Sequence, residues 1–468
     1  MYPKLSLLLM IINILLGVTI ILRSGRRPSA NWAWIMILFV LPFFGLVVYF
    51  TFGIEGSRYA AFVKKHKADQ NINYQKNTNK NSLKTVETNY MGLSNLNLNM
   101  SQSPITTDNI IKIYHEGQGK FQDLINDIKK AKKSIHIQYY IMKNDELGRH
   151  IINALTNKAK EGVEVRLLID KLGSKFLSRK MLKSLTEATG FVAQFAAPHI
   201  MRLNFRNHRK ISIIDGTIGY IGGFNIGNEY LGKGRYNYWR DCHLRITGSA
   251  VEQLQLRFAR DFNYSSKIGK ISDINNYLKK QSNNTPGVKL QIVSSGPDTK
   301  YNSILYAYIK MIVDAKKYVY IQTPYFIPHE SIQDALIMAC KSGVDVKIMI
   351  PAAPDVPFVY WAALGYMGDL IKAGAKCYKY EKGFVHSKLV IVDGETASVG
   401  TANMDIRSLK LNFEINAFLF DATQVKILEN QFIDDVKNCT TLDYEWYNRR
   451  KIKDRIREAI CVLISPIL

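Results

Sequence analysis

His208, Lys210, Asp215, Gly222 and Asn225 stand at the same spacings as His386, Lys388, Asp393, Gly400 and Asn403. A single His-x-Lys pair is common noise, whereas two copies that agree at every one of these intervals are a strong signal. The residue types are those that handle a phosphate ester. Near neutral pH an imidazole serves as nucleophile or base, an ammonium is a cation for non-bridging oxygens, and a carboxamide donates hydrogen bonds to them. Asp215 and Asp393 complete the motifs and are counted with the candidate catalytic set. Each opens an Asp-Gly dipeptide, however, and is expected chiefly to shape a hairpin turn. A reacting His needs a carboxylate on its second ring nitrogen, and Asp241 and Glu414, downstream of the two motifs, qualify.

Side chains two apart on an extended strand share a face, so His-x-Lys is expected on a strand that directs both groups at one ligand. The apolar runs Ile211–Ile214 and Leu389–Val392 continue those strands, and after the Asp-Gly turn a return strand brings Asn225 or Asn403 back beside them. The repetition extends upstream, where Ala131–Gln138 matches Ala315–Gln322. Each is followed by a helical stretch ending at Gly162 or Gly343 and by an apolar strand, Val163–Ile169 or Val344–Ile350. Strand, helix, strand in both halves implies an α/β architecture with parallel pairing.

This pattern resembles the duplicated His-Lys-Asp motif of the phospholipase D superfamily, over nearly all of the chain from Ile110 onward. The resemblance implies one active site between two similar halves packed as a pseudo-twofold pair. It implies a phosphohistidine intermediate, one His attacking phosphorus while the other protonates the leaving alcohol and then deprotonates the acceptor. His208 is the expected nucleophile with Asp241 behind it, and His386 the expected general acid/base with Glu414 behind it. Lys210, Lys388, Asn225 and Asn403 would neutralise and bind the phosphate oxygens, and no metal or other cofactor is implied.

Within the superfamily the chain most resembles the cardiolipin synthases, in Gly222–Asn225, Trp239–Asp241, Gly400–Ser408, Asn412–Glu414 and the N-terminal hairpin described next. Gly223 and Thr401 stand where many superfamily members carry Ser. Resemblance to that family implies transfer of a phosphatidyl group from one phosphatidylglycerol to another, giving cardiolipin and glycerol. Another phosphatidyltransferase or a hydrolase of the same superfamily fits the motifs too. So, less well, does a membrane-tethered phosphodiesterase or nuclease. A nucleic-acid partner is not expected, because basic and aromatic residues are little interleaved. Two intact motifs argue against a non-catalytic scaffold.

The partner implied instead is a membrane of anionic phospholipid. Leu5–Leu22 is an apolar run without a charge, and after a basic turn Trp32–Phe52 forms a second, edged by Trp32, Trp34 and Tyr49. The two read as a transmembrane hairpin in the cell membrane. Arg and Lys counts on its flanks lean towards both termini, and the catalytic part, being cytoplasmic. The chain carries 63 Lys and Arg against 39 Asp and Glu, a net charge of +24, which draws it to polyanions. Near the C-terminus, Arg449, Arg450, Lys451, Lys453, Arg455 and Arg457 are interleaved with Ile452, Ile456, Ile460 and Ile464 at helical spacing. Such a helix either lies on a membrane or packs on the core with a solvated basic face. The five cysteines have no metal-ligand spacing and read as ordinary thiols.

The expected organisation is a transmembrane hairpin over 1–53 and a polar linker over 54–109, followed by phospholipase D-like repeats over 110–290 and 291–468. The linker is assigned as a tether because Asn95–Asn99, like the rest of it, shows no helical or buried-strand period.

Overall fold

The computed structural model describes residues 2–22, 28–52, 62, 65–69, 72, 91–196, 205–278 and 286–465. Strands of the first repeat are β1 (Thr106–Tyr114), β2 (Ser134–Tyr139), β3 (Glu164–Asp170), β4 (Phe191–Phe195), β5 (Ile211–Ile214), β6 (Ile218–Gly222), β7 (Trp239–Arg240) and β8 (His243–Thr247). Those of the second are β9 (Val288–Ser295), β10 (Tyr318–Gln322), β11 (Phe326–Ile327), β12 (Asp345–Pro351), β13 (Lys376–Tyr380), β14 (Phe384–Val385), β15 (Leu389–Val392), β16 (Thr396–Gly400), β17 (Met404–Asp405), β18 (Glu414–Leu419) and β19 (Cys439–Leu442).

β1 and β9 pair antiparallel at the centre of one 15-stranded sheet. Outward from there the first repeat runs β1-β8-β6-β5-β2-β3-β4 and the second runs β9-β18-β16-β15-β10-β12-β13-β19. The two orders correspond strand for strand, apart from the extra edge strand β19, as a pseudo-twofold pair requires. The expected parallel pairs are β2 with β3 and β10 with β12. Each is joined by an amphipathic helix, Glu146–Lys160 or Glu330–Lys341, whose Ile151, Ile152 and Leu155, or Ile332 and Leu336, are buried. The sheet is fully buried in its middle strands, which explains their unbroken apolar runs: all four residues of β5 and of β15 are buried.

At the N-terminus, helix Tyr2–Leu22 packs beside two helices, Pro28–Val40 and Pro42–Phe52, which replace the single second segment expected. Pro42 causes the break. It has no N–H for Leu38, whose carbonyl instead accepts from Asn13 Nδ2 at 2.9 Å. Among the described residues no helix is long and apolar enough to cross a membrane. The basic turn at 23–27 lies outside the described residues, as do Arg58 and Lys64.

The segment expected to be a tether lies partly outside the described residues, but where described it is docked rather than loose. Asn95–Asn99 sits inside helix Met91–Ser101. Burial of amides replaced the missing apolar period: Asn97 Nδ2 donates to Gln291 Oε1 at 3.0 Å, and Gln291 Nε2 donates to the carbonyls of Ser94 and Ser103. Further upstream Phe62 packs edge-on against Phe205 and Phe413. Lys65 is fully buried and reaches Asp69, Asp261 and Asp298 at 2.8, 3.1 and 3.0 Å. Arg257 and Arg209 add two more cations to these carboxylates, so the buried cluster is charge-balanced.

Candidate active site

Each His-x-Lys lies in an extended lead-in just ahead of β5 or β15, one step earlier than the strand position expected. Lys210 Nζ curls back to donate to the His208 carbonyl at 2.7 Å, and Lys388 Nζ does the same to that of His386. Both His and both Lys side chains are buried. They share one electrostatic environment, since Lys388 disfavours the cationic form of His208 and Lys210 that of His386. Tyr140 stands 4.9 Å from the His208 ring, and Trp239 stands 5.4 Å from that of His386, centroid to centroid.

The carboxylates behind the histidines are crossed relative to the pairing expected. His208 Nδ1 meets Glu414 Oε1 and Oε2 at 2.9 and 3.0 Å, and His386 Nδ1 meets Asp241 Oδ2 at 2.6 Å. Backbone pairing explains the exchange. The residues ahead of His208 run parallel to Asn412–Phe413, with His208 N donating to Phe413 O and Phe413 N to Arg206 O. In the same way β14, which leads into His386, pairs parallel with β7, which leads into Asp241. Each His therefore takes its acid from the other repeat.

With Nδ1 facing a carboxylate, the Nδ1–H tautomer is held and Nε2 is the ring nitrogen turned away from that carboxylate. Lys388 Nζ also lies 2.9 Å from His386 Nδ1, but a nitrogen that donates to Asp241 cannot accept from an ammonium, and the shorter charge-assisted contact prevails. Glu414 is fixed by Thr401 Oγ1, which donates to Oε2 at 2.5 Å. Among the described residues no hydroxyl is seen to do the same for Asp241. A Cβ on Gly223 would collide with its carboxylate, so Gly is required there by space, and the Asp241 Oδ1 accepts from Cys242 N instead.

Asp215 and Asp393 do not join the site. Each has a left-handed backbone, φ +53° and +56°, and a carboxylate that accepts backbone N–H bonds: Asp215 from Lys132, Lys133 and Ser134, Asp393 from Lys316, Lys317 and Tyr318. Their place in the candidate catalytic set is corrected to a hairpin turn that ties β5 to the start of β2 and β15 to the start of β10. Asn225 and Asn403 are buried, each with one amide N–H committed: Asn225 Nδ2 to Tyr230 Oη at 2.7 Å, while its Oδ1 accepts from Ile141 N, and Asn403 Nδ2 to Asp405 Oδ2 at 3.0 Å. A carboxamide has a second N–H to offer a phosphate oxygen.

Two arginines that sequence reasoning left unassigned complete the frame. Arg209 Nε donates to the carbonyl of Glu414 while its Nη1 grips Asp261 at 2.6 Å. Arg240 Nη1 donates to the carbonyl of Asp241 while its Nε grips Asp435 at 2.8 Å. Gln138 and Gln322, which close the matched segments, donate to the same two aspartates. That repetition of Gln was the visible signal; the aspartates lie on helices whose distances from the motifs differ between the repeats.

Burial is the main influence on the site's titration. It lowers His208 to about 4 and His386 to about 3, with Glu414 or Asp241 acting in the opposite sense. It lowers Lys388 to about 8, Asp241 and Glu414 again opposing, and Lys210 also falls well below its ordinary value. Burial thus favours the neutral form of both rings while the site is empty of phosphate. Lys388 loses its charge as pH rises through about 8, so turnover is expected to fall there. A rate–pH profile checks this, and in Lys388→Arg the residual activity should lose the part of that fall due to Lys388, because guanidinium stays charged.

Comparison with known proteins agrees with this geometry. The family described as "Cardiolipin synthase, PLD-like domain" matches residues 124–262 and 308–436, once in each half of the sheet, and one described as "Phospholipase_D-nuclease N-terminal" matches 11–53. The major cardiolipin synthase ClsA of Bacillus subtilis (strain 168) is 45% identical, over 98% of both chains. A cardiolipin synthase of Staphylococcus aureus (strain Mu50) is also 45% identical, over 98% of this chain and 95% of its own. Among solved structures, the phosphatidylserine synthase of Haemophilus influenzae Rd KW20 shares the fold, with a TM-score of 0.61 at 16% identity over 80% of this chain and all of that one. Likeness to these synthases from end to end, with a family match centred on each of the two halves that exchange their carboxylates, means that this chain belongs to the cardiolipin synthase family of the phospholipase D superfamily.

Proposed function

We propose that the protein joins two phosphatidylglycerol molecules into cardiolipin, through a phosphohistidine on His208. The crossed His–carboxylate pairs support this reading, since each orients one ring for the shared chemistry that two near-identical repeats need. His208 Nε2 attacks phosphorus, the P–O bond to the glycerol headgroup breaks, and His386 Nε2–H gives that oxygen its proton. His386 then takes the proton from the terminal hydroxyl of a second phosphatidylglycerol. That oxygen attacks phosphorus, and the P–N bond returns its electrons to His208. An anionic phosphate bound between the histidines favours the imidazolium that His386 must form, with Asp241 behind it. Lys210, Lys388 and the second N–H of Asn225 and Asn403 take the charge on the non-bridging oxygens.

The N-terminal hairpin is proposed as a multi-pass anchor in the cell membrane, with the catalytic part on the cytoplasmic side. Support comes from its surface: Leu7, Leu8, Leu15, Leu22, Phe43 and Phe44 are all more than half exposed, an apolar area that water would penalise. The division into hairpin, linker and two repeats is proposed with the boundaries given above, the linker being docked where it is described.

The test is to incubate the purified full chain with phosphatidylglycerol alone, in EDTA, and identify every product by mass spectrometry. Cardiolipin with an equal amount of glycerol is the expected result. Phosphatidic acid in its place would make water the acceptor, and turnover that returns only on adding a divalent metal would overturn the metal-free route.

A further inference from the structure

Helix Ile452–Ile464 is docked on one side and open on the other. Its inner face carries Glu458 and Cys461, both buried, and lies against helix Pro357–Ala373. The approach is close: a Cβ on Gly365 would sit 2.5 Å from Val462 Cγ2. Arg450, stacked 3.6 Å from the Tyr447 ring and paired with Glu458, locks the entry to the helix. The outer face is apolar. Ile452, Ile456, Ile460 and Leu463 are 78, 54, 50 and 79% exposed and fall on one stripe at helical spacing. Exposed Lys453 and Arg457 border the stripe on one side, Lys451 and Arg455 on the other. A packed core helix has no reason to turn its branched aliphatic residues outward between two rows of cations. A helix lying in the headgroup boundary of an anionic bilayer does.

Its position beside the chemistry gives that surface a use. Cys461 packs in a cluster with Ile327, Ala362 and Ile406. Ile327 pairs with Asp405, the residue that holds the Asn403 amide. At the other end, the loop before helix Pro357–Ala373 is gripped by Tyr236, whose hydroxyl donates to Pro354 O at 3.0 Å and whose ring adjoins Trp239 beside His386. The basic amphipathic helix is thus tied through short contacts to both sides of the site.

We infer that helix Ile452–Ile464 seats on anionic lipid, Ile452, Ile456, Ile460 and Leu463 entering the acyl boundary, and so holds the mouth of the active site against the phosphatidylglycerol it consumes. The inference rests on the lipid substrate proposed above. It adds a second membrane contact, independent of the N-terminal hairpin and selective for anionic lipid.

The test uses the full chain in vesicles of phosphatidylcholine with or without phosphatidylglycerol. Leu463→Cys, labelled with an environment-sensitive fluorophore after the part-exposed Cys340 and Cys439 are changed to Ser, should be quenched by brominated lipid when phosphatidylglycerol is present and not in phosphatidylcholine alone. Ile456→Asp/Ile460→Asp should raise the mole fraction of phosphatidylglycerol needed for half-maximal rate by about tenfold, with kcat unchanged. Lys453→Glu/Arg455→Glu should do the same. Absence of quenching in both vesicles overturns the inference. Equal quenching in both overturns its charge selection. A dimer that dissociates in Ile456→Asp identifies a second copy as the occupant and overturns it too. A chain that makes cardiolipin while its label stays unquenched refutes the docking alone, whereas one that makes none refutes the substrate reading.

Discussion

Replacing either His208 or His386 by Ala should abolish cardiolipin formation, and the two variants should fail at different points. Without His208 there is no atom to take the phosphatidyl group, so no phosphoenzyme forms from any donor. Without His386 the nucleophile remains, and only protonation of the leaving glycerol is lost. A phosphatidyl donor with a p-nitrophenol leaving group departs without that proton, so His386→Ala should still trap one phosphatidyl group per chain, stable because no base activates the acceptor. The check is intact-protein mass after mixing with that donor. Trapping in His208→Ala instead would exchange the two roles while leaving the shared site intact. Substantial turnover of phosphatidylglycerol by either variant would end the mechanism.

Glu414→Gln and Asp241→Asn should cost nearly as much. An amide keeps the shape of the acid, but its NH2 can turn to the ring nitrogen and favour the wrong tautomer, and it cannot stabilise an imidazolium. The equivalent change in a serine-protease triad costs on the order of 10⁴ in kcat, and a loss of about 10³ to 10⁴ is expected here. The crossing makes the two losses separable. Glu414→Gln should slow the burst of phosphoenzyme from the p-nitrophenyl donor, because it misorients His208. Asp241→Asn should leave that burst largely intact and slow transfer to phosphatidylglycerol. Rapid-quench measurement of burst and turnover distinguishes them, and a burst lost with Asp241 instead would contradict the pairing seen at 2.6 Å.

The repeats were legible in sequence because they are local. Identical intervals from His208 to Asn225 and from His386 to Asn403 reflect one strand–turn–strand unit copied twice, and its hairpins and parallel pairs are present as expected. The crossing was not legible. It depends on Asn207 bridging Phe413 across some 206 residues of chain, and neither segment carries a pattern that says which acid it will meet. Asn95–Asn99 was misread for a related reason. Its helix is held by amide hydrogen bonds to Gln291, and periodicity of apolar residues is blind to burial of polar ones. Asp215 and Asp393 were the reverse case, a local Asp-Gly signal that spoke correctly for a turn against a motif that suggested chemistry.

The buried Lys65 sets a length. A linker over 54–109 would let the catalytic body roam far from its anchor, nearly 200 Å at full extension. The chain instead leaves the last hairpin helix at Phe52 and is pinned again at Phe62 and Lys65. Ten peptide steps reach about 35 Å at most. That reach is roughly the height of a bilayer's hydrocarbon layer, which would keep the catalytic body close to a hairpin anchored as proposed. With the hairpin anchored as proposed above, the catalytic body would skim one leaflet and meet its two lipids by diffusion in a plane.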